Sequence, residues 1–511
     1  MGGWMGGREW ERAGRGGAEG GAEGGAEGPL VLALDVGTSS TRAMIFDRDG
    51  VAVPGLIAQT PVHLTLTPGG GVEGDAEALV AVAVGVIDEI LRAAGPLAAR
   101  IAAVGTSCFW HSLLAVGPDG GALTPVFSWA DDRSAAADAL RGELDGRAVH
   151  DRTGCVIHTS YWPAKLRWLA ESRADLADAH WLGYGEYLLA RFTGSAACSV
   201  GMASGTGLLD QHRADWDAPL LAQLGIARER LPTLIDRDEA LPPLREEWAR
   251  RWPALAGAAW FPSMGDGACN NVGSGCVVPG RMALSIGTSG VMRVVVKADT
   301  VVIPPQVWCY RLDRQRYILG GALSNGGVVI DWLRATLALP DDAAARVATL
   351  APDSHGLTFL PFLAGQRTPD WDSRAVATIH GLTLETEPLA ILRAGLEVVA
   401  LRFALVHELL QPLAPASYQI VVSGGALMHW PIWPQIVADA LGHALVASAE
   451  PEASARGAAL LALDGIGAIP DLESAPIALD ETYEPEPQAH AVYVAARARL
   501  EDLQATLRRG K

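Results

Sequence analysis

The sequence predicts an α/β protein built as two domains of similar plan around a central cleft. Three observations predict it. The string Ala33-Leu34-Asp35-Val36-Gly37-Thr38-Ser39 returns as Ala283-Leu284-Ser285-Ile286-Gly287-Thr288-Ser289, 250 residues later (Gly287 against Gly37). Each copy lies between two apolar runs, 30–34 and 43–46 for the first and 282–286 and 291–296 for the second. That pattern reads as strand, tight turn, strand. Strand signals then give way to helix signals twice, along 511 residues that are too many for one core.

The elements follow in order. Residues 1–28 are of low complexity, with Gly-Ala-Glu-Gly three times between Gly17 and Gly28. They offer no apolar surface to offset ordering entropy and are expected to be disordered. A first domain spans 29–278. Its opening hairpin ends at the Asp49-Gly50 turn. Residues 75–94 have helical periodicity, with Asp75 as N-cap and Gly95-Pro96 as the stop. Residues 101–106 form a buried strand, 161–171 and 185–192 are helical, and Pro-rich 231–244 is connecting loop. A second domain, 279–475, starts with the second hairpin. It continues with a strand at 317–320, a helix at 327–337 and a long helix at 388–411. A strand at 418–422 runs into Gly424-Gly425 and is followed by a helix at 432–441. The tail, 476–511, carries an amphipathic helix at 489–507 expected to fold back onto the body.

Bulk properties narrow the function. Net charge is −18, from 40 basic and 58 acidic residues, without a long basic run, which argues against a nucleic-acid or anionic-membrane partner. The only lysines are Lys165, Lys297 and Lys511. Phosphate binding must therefore lean on arginine, hydroxyls, backbone N–H groups and a cation. No G-x-x-x-x-G-K-[ST] string is present, so a P-loop is excluded. The six cysteines form no C-x-x-C and read as buried structural thiols. No apolar stretch reaches transmembrane length, and the N-terminus lacks the basic-then-apolar order of a signal peptide; a cytoplasmic protein is expected.

The turns carry the first chemical reading. Glycine there lets backbone N–H groups approach a ligand, and the flanking hydroxyls add donors. Two such turns facing each other could hold a polyphosphate. Asp35 in the first copy is Ser285 in the second, and a carboxylate beside phosphates calls for an intervening cation, so Asp35 is assigned to Mg²⁺. Asp266, in Ser263-Met264-Gly265-Asp266-Gly267-Ala268, follows an apolar strand. A carboxylate between glycines can reach a substrate hydroxyl and take its proton as the oxygen attacks a γ-phosphoryl group; a plain turn aspartate is the alternative. Arg42 reads as a phosphate ligand or as a surface strand arginine. Trp129-Ala130-Asp131-Asp132-Arg133 suits a polyhydroxylated ligand, or a tryptophan anchor before a helix cap at Asp132. His111 ends a buried strand, where α/β folds contact ligands; a hydrogen-bonded core histidine is the alternative. Ser423-Gly424-Gly425-Ala426 and Asn325-Gly326-Gly327 could let a base or ribose lie on the backbone, or be strand–helix turns.

Together these strings resemble the FGGY carbohydrate kinases, of the ribonuclease-H-like, actin/hexokinase-type ATPase fold, over residues 29–499. Asp35-Val-Gly-Thr-Ser-Ser-Thr-Arg42 and Ser285-Ile-Gly-Thr-Ser-Gly290 are similar to the two phosphate motifs, and Asp266-Gly267 to the catalytic-base segment. Ser423-Gly-Gly-Ala426, with residues 452–459 downstream, is similar to the adenosine motif, and residues 359–369 to the second family signature, with Gln366 where glutamate is usual. Within the family the gluconokinase branch is most alike, through Trp110-His-Ser-Leu113, Ser128-Trp-Ala-Asp-Asp-Arg-Ser134 and Thr153-Gly-Cys-Val-Ile-His158. The resemblance implies Asp266 as base and, with Asp35, as Mg²⁺ ligand. It implies Thr38, Ser39, Arg42, Gly287, Thr288 and Ser289 at the phosphates, and Gly327, Gly424, Gly425 and Ala426 at the nucleoside. His111, Trp129, Asp131 and Arg133, with Asp266, would line the sugar site. The implied reaction is ATP-dependent phosphorylation of a sugar or sugar acid, D-gluconate first, with a pentulose or polyol as the rival acceptor. A non-catalytic actin-like nucleotide-binding protein is the rival of another class. Partners are then a small-molecule sugar or sugar acid and ATP, with no nucleic acid and no membrane; a homodimer is admitted.

Overall fold

The computed structural model describes residues 28–134, 136–372 and 374–509. All but the last residue of the extension expected to be disordered lies outside the described residues. Each lobe is laid on the same five strands. In the first, Leu30–Val36, Ser40–Phe46 and Ala52–Pro61 form an antiparallel meander; Ile101–Cys108 and then Ala259–Trp260 add in parallel on the other side of Leu30–Val36. In the second, Arg281–Ile286, Gly290–Lys297 and Arg316–Leu323 form the meander, and Gln419–Ser423 and Leu445–Ser448 add in parallel. Edge strands Trp308–Arg311 and Leu479–Tyr483 complete a seven-stranded sheet. The repeated string is thus the sequence trace of a repeated sheet.

Local chemistry sets the elements. The helix Ala76–Ala94 starts where the Asp75 carboxylate accepts from the Ala78 N–H, and it stops at Gly95, whose φ of 52° suits glycine. Its residues Leu79, Val80, Ala83, Ile87 and Ile90 are buried at helical spacing against the first sheet. The long helix Pro388–Leu410 opens on its proline and buries most of its length in the second core. The final helix, Pro487–Arg509, folds back as expected. Tyr493 and Leu500 are buried in the second core, and Gln504 donates to Gln366 at 3.0 Å and to Asp370 at 2.9 Å. Gln366, which departs from the family string, therefore serves the docking of this helix.

One helix packs across the lobes. The helix Ala453–Gly465 lies in the segment assigned to the second domain, yet Ala455, Ala458, Leu460 and Leu461 belong to the first lobe's core. It crosses the helix Asp266–Gly273 with backbones almost touching. A Cβ on Gly457 would stand 1.8 Å from the Cys269 carbonyl oxygen, and one on Gly273 1.8 Å from that of Ala453. Only glycine permits that crossing. Arg456 pins it by donating to the carbonyls of Gly50, Gly273 and Pro476. The chain thus passes into the second lobe and comes back. No helix among the described residues is long and apolar enough to cross a membrane. All six cysteines are buried and unpaired, as the sequence suggested.

Candidate active site

Strand register places the acidic groups. Asp35 is next to last in its strand, beside Ser107 of Ile101–Cys108, whose hydroxyl donates to it at 2.7 Å. The equivalent pair in the second lobe is Ser285 beside Ser423. Asp266 opens its helix straight after the short strand Met264–Gly265, which pairs with Ser107 and Cys108. The Gly267 N–H donates to the Asp266 carboxylate at 2.8 Å. The indole of Trp110 packs over this corner. A Cβ on Gly265 would lie 1.9 Å from it and one on Gly267 2.7 Å, so the glycines on both sides of Asp266 make room for an aromatic lid.

Asp266 lines a cavity of about 290 Å³ between the lobes. Thr38 from the first turn and Ser289 from the second line the same cavity, so the two turns converge on Asp266. His111, Trp129, Tyr161, Tyr310, Arg293, Arg367 and Trp371 complete most of its wall. Burial raises the Asp266 pKa to about 6, aided by the charge of Asp35 and opposed by the Gly267 N–H and Arg293. At neutral pH the group is mostly ionised yet basic enough to take a proton. Arg293 reaches across from the second hairpin and donates to the side chains of Asn270 (3.2 Å) and Asn271 (3.0 Å), in the second half of the helix that Asp266 opens. Burial lowers its pKa to about 10, which leaves it charged.

His111 sits at φ 68° and its Nδ1 faces the Gly205 carbonyl. Burial holds its pKa down at about 3. The ring is therefore neutral, Nδ1 carries the proton and donates, and Nε2 is left as an acceptor.

A second cavity, of about 360 Å³, is lined by Asp35, Arg42, Asn270, Ser285, Ser423, Gly424, Gly425 and Glu452, and its Asn270 accepts from Arg293 of the first cavity's wall. Gly424 has φ 111°, and a Cβ there would meet the Ile286 carbonyl at 2.4 Å. Arg42 donates to Glu452 at 2.7 Å, while its Nε is buried without a partner among the described residues. The second turn is knit to the helix Gly327–Thr336: Gly327 N–H donates to the Gly287 carbonyl at 2.8 Å and Val328 N–H to that of Thr288 at 3.0 Å. Gly327 and Ala426 pack on each other beside the cavity, where a Cβ on Gly327 would stand 2.7 Å from that of Ala426. Ser39 and Thr288 are exposed at the turn tips.

Asp35 and Asp266 suit a hard divalent cation. Both are half-buried, both are raised in pKa chiefly by the loss of surrounding water, and the charge of Asp35 raises Asp266 further. Two desolvated carboxylates with no lysine near them are an oxygen donor set that a Mg²⁺ ion would relieve.

Two expected sugar residues lie elsewhere. Neither Asp131 nor Arg133 lines the cavity. Asp131 is buried and accepts from the Val72 N–H at 3.1 Å and from Arg133 at 2.6 Å; Arg133 also pairs with Glu73 at 2.6 Å. The guanidinium lies 5.3 Å from the Phe127 ring centre and 5.2 Å from that of Trp168. The pair fastens the hairpin Thr65–Thr67/Gly71–Gly74 to the lobe, and its charges are satisfied inside the protein. Sequence reasoning missed Arg293 and Arg367. A single charge in the otherwise apolar run 291–296 was the available signal for the first; the second stood in a quoted string with no role attached.

Comparisons with known proteins give the family. Residues 30–273 match the N-terminal domain of the FGGY family of carbohydrate kinases, and residues 282–464 match its C-terminal domain. The chain is 27% identical over 474 residues to a gluconokinase of Bacillus subtilis, covering 89% of this chain and 91% of that one. It is 33% identical over 455 residues to a glycerol kinase of Aromatoleum aromaticum, covering 86% and 90%. Structures of a gluconate kinase and of a xylulose kinase from Lactobacillus acidophilus each superpose with a TM-score of 0.88 at 27% identity, over 94% of this chain and 98% of theirs.

Proposed function

The chain belongs to the FGGY family of carbohydrate kinases and is an ATP-dependent sugar kinase, and from that premise we propose that its acceptor is a sugar acid, D-gluconate, phosphorylated to 6-phosphogluconate. The observation that carries the reaction is the shared cavity of Asp266, Thr38 and Ser289. The acceptor hydroxyl loses its proton to the Asp266 carboxylate as its oxygen bonds to the γ-phosphorus; the bond from that phosphorus to the bridging oxygen breaks, and ADP departs. The hydroxyls of Thr38 and Ser289 hold phosphate oxygens from opposite lobes. Gly424 and Gly425 take the nucleoside, and the unpartnered Arg42 Nε meets a phosphate. Asp35 and Asp266 would hold Mg²⁺, which would supply neutralisation of the phosphate charge. His111 accepts a substrate hydroxyl at Nε2, and Trp129 covers the C–H face of an open chain.

Gluconate is favoured by the residue strings around His111 and Trp129 and by the likeness to the gluconokinase and gluconate kinase above. The glycerol kinase and xylulose kinase likenesses favour a neutral polyol or ketose as the second reading. Mass spectrometry of products from a mixed pool of sugar acids, polyols and ketopentoses with ATP and Mg²⁺ separates them. Phosphogluconate as the main product is expected; a phosphorylated ketopentose or glycerol in its place would overturn the assignment.

A further inference from the structure

We propose that Arg367 is the residue that selects an acidic acceptor, by pairing its guanidinium with the substrate carboxylate. The inference rests on the sugar-acid reading above and names the group that would enforce it. Among the described residues lining the cavity, Arg293 and Arg367 are the arginines, and lysine is absent. Arg293 is spent on Asn270 and Asn271. The Arg367 guanidinium makes no hydrogen bond or ion pair with a described residue; its contact is a stack 5.0 Å from the centre of the Trp129 ring. A cation held against an indole face keeps its N–H edge open, which is how a planar fork meets a carboxylate bidentately.

The surroundings fit an anion better than a neutral group. Lys165 is turned inward to the carbonyls of Thr159 (2.9 Å) and Ser160 (2.6 Å). His111 and His158 are held neutral, by burial first and then by neighbouring cations that include Arg367. Tyr161 and Tyr310, whose hydroxyls share a 2.7 Å hydrogen bond and stay protonated because burial pushes their pKa values up, line the same cavity as neutral groups, while Asp266 answers to Asp35 and Arg293. Arg367 and Asp266 thus line one cavity, and the cation that acts on Asp266 is Arg293 rather than Arg367. An open-chain hydroxy acid with its terminal alcohol at Asp266 can place its carboxylate at Arg367. Arg367 comes from the second lobe and Trp129 from the first, so a bound carboxylate also ties the two lobes across the cleft.

The test compares D-gluconate with D-glucitol, the same carbon chain with an alcohol replacing the carboxylate. Dissociation constants are measured by titration calorimetry without nucleotide, and kcat/KM by ADP release, for the wild type, Arg367→Gln and Arg367→Lys. The wild type is expected to prefer gluconate, and Arg367→Gln to lower the gluconate-to-glucitol ratio about 10- to 100-fold, mainly through KM, with part restored by lysine. A general loss of structure moves both ligands and cancels in the ratio. An unchanged ratio in Arg367→Gln, or equal affinity of the wild type for both ligands, overturns the proposal. If Arg367→Gln does not fold, the wild-type ratio and Arg367→Lys decide. A wild type that binds gluconate over glucitol yet phosphorylates only neutral sugars sinks the acceptor reading while leaving Arg367 as the anion site. A wild type that phosphorylates gluconate with no help from Arg367 sinks this inference alone.

Discussion

Arg133 shows how one side chain's partners decide its role. It stands two residues from Asp131, whose side chain is 1% exposed, and pairs with both that group and Glu73. Removing the guanidinium would strand a buried carboxylate. Arg133→Ala should therefore cost about 2 kcal/mol of stability, read as a lower Tm, with KM for the acceptor little changed. A raised KM at unchanged Tm would place Arg133 at the substrate after all. The sequence made Asp131 and Arg133 legible as an unusual charged cluster beside Trp129, but not which way each pointed, because no residue type encodes a partner 60 positions away such as Glu73. Asp266 was legible for a better reason. Glycines flanking a carboxylate after an apolar strand leave the space around it open, and here that space admits Trp110.

Helices and strands were read more securely than side-chain orientation. The N-cap at Asp75 and the stop at Gly95 fall where local chemistry put them, because capping depends on neighbours in sequence. The strand Ala52–Pro61 went unread, since only one of its ten residues is buried and its half-exposed mix gives no clean alternation. The return of Ala453–Gly465 to the first lobe was illegible, because crossing helices are chosen by tertiary fit. That crossing predicts a sharp effect. Gly457→Ala forces a methyl against the Cys269 carbonyl, and a loss of about 1–3 kcal/mol is expected, seen as a lower Tm and weaker ATP binding, since Glu452 and Arg42 adjoin the same helix. The docking of the final helix has a titratable contribution. Burial pushes Glu397 up, but His355 and Arg393 outweigh it, and its pKa ends below the ordinary glutamate value. A depressed carboxylate stabilises the fold above its unfolded pKa, and that stability is lost as pH falls through the folded value. Glu397→Gln should lower Tm at neutral pH and flatten its fall in acid; an acid limb as steep as the wild type's would count against this network.

At the scale of the whole molecule, duplication explains the architecture. Two copies of one sheet plan present two turns to a common gap, and a helix threading back through the first lobe holds the base beside both. The repeated string made the paired hairpins, and hence the two lobes and their cleft, readable before any coordinate. Of the second lobe's contribution to the cleft, Ser289 was readable from the repeated turn, while Arg293 and Arg367 were not, because they are brought there by the packing of lobe on lobe. The central claim is that Asp266 takes the acceptor proton while groups from both lobes hold the triphosphate. The most direct test is Asp266→Asn, measured for turnover and for ATP affinity together. Asp266→Asn is expected to lower kcat about 10²- to 10⁴-fold with ATP affinity within a few-fold of the wild type; turnover near the wild-type rate would rule Asp266 out as the proton acceptor.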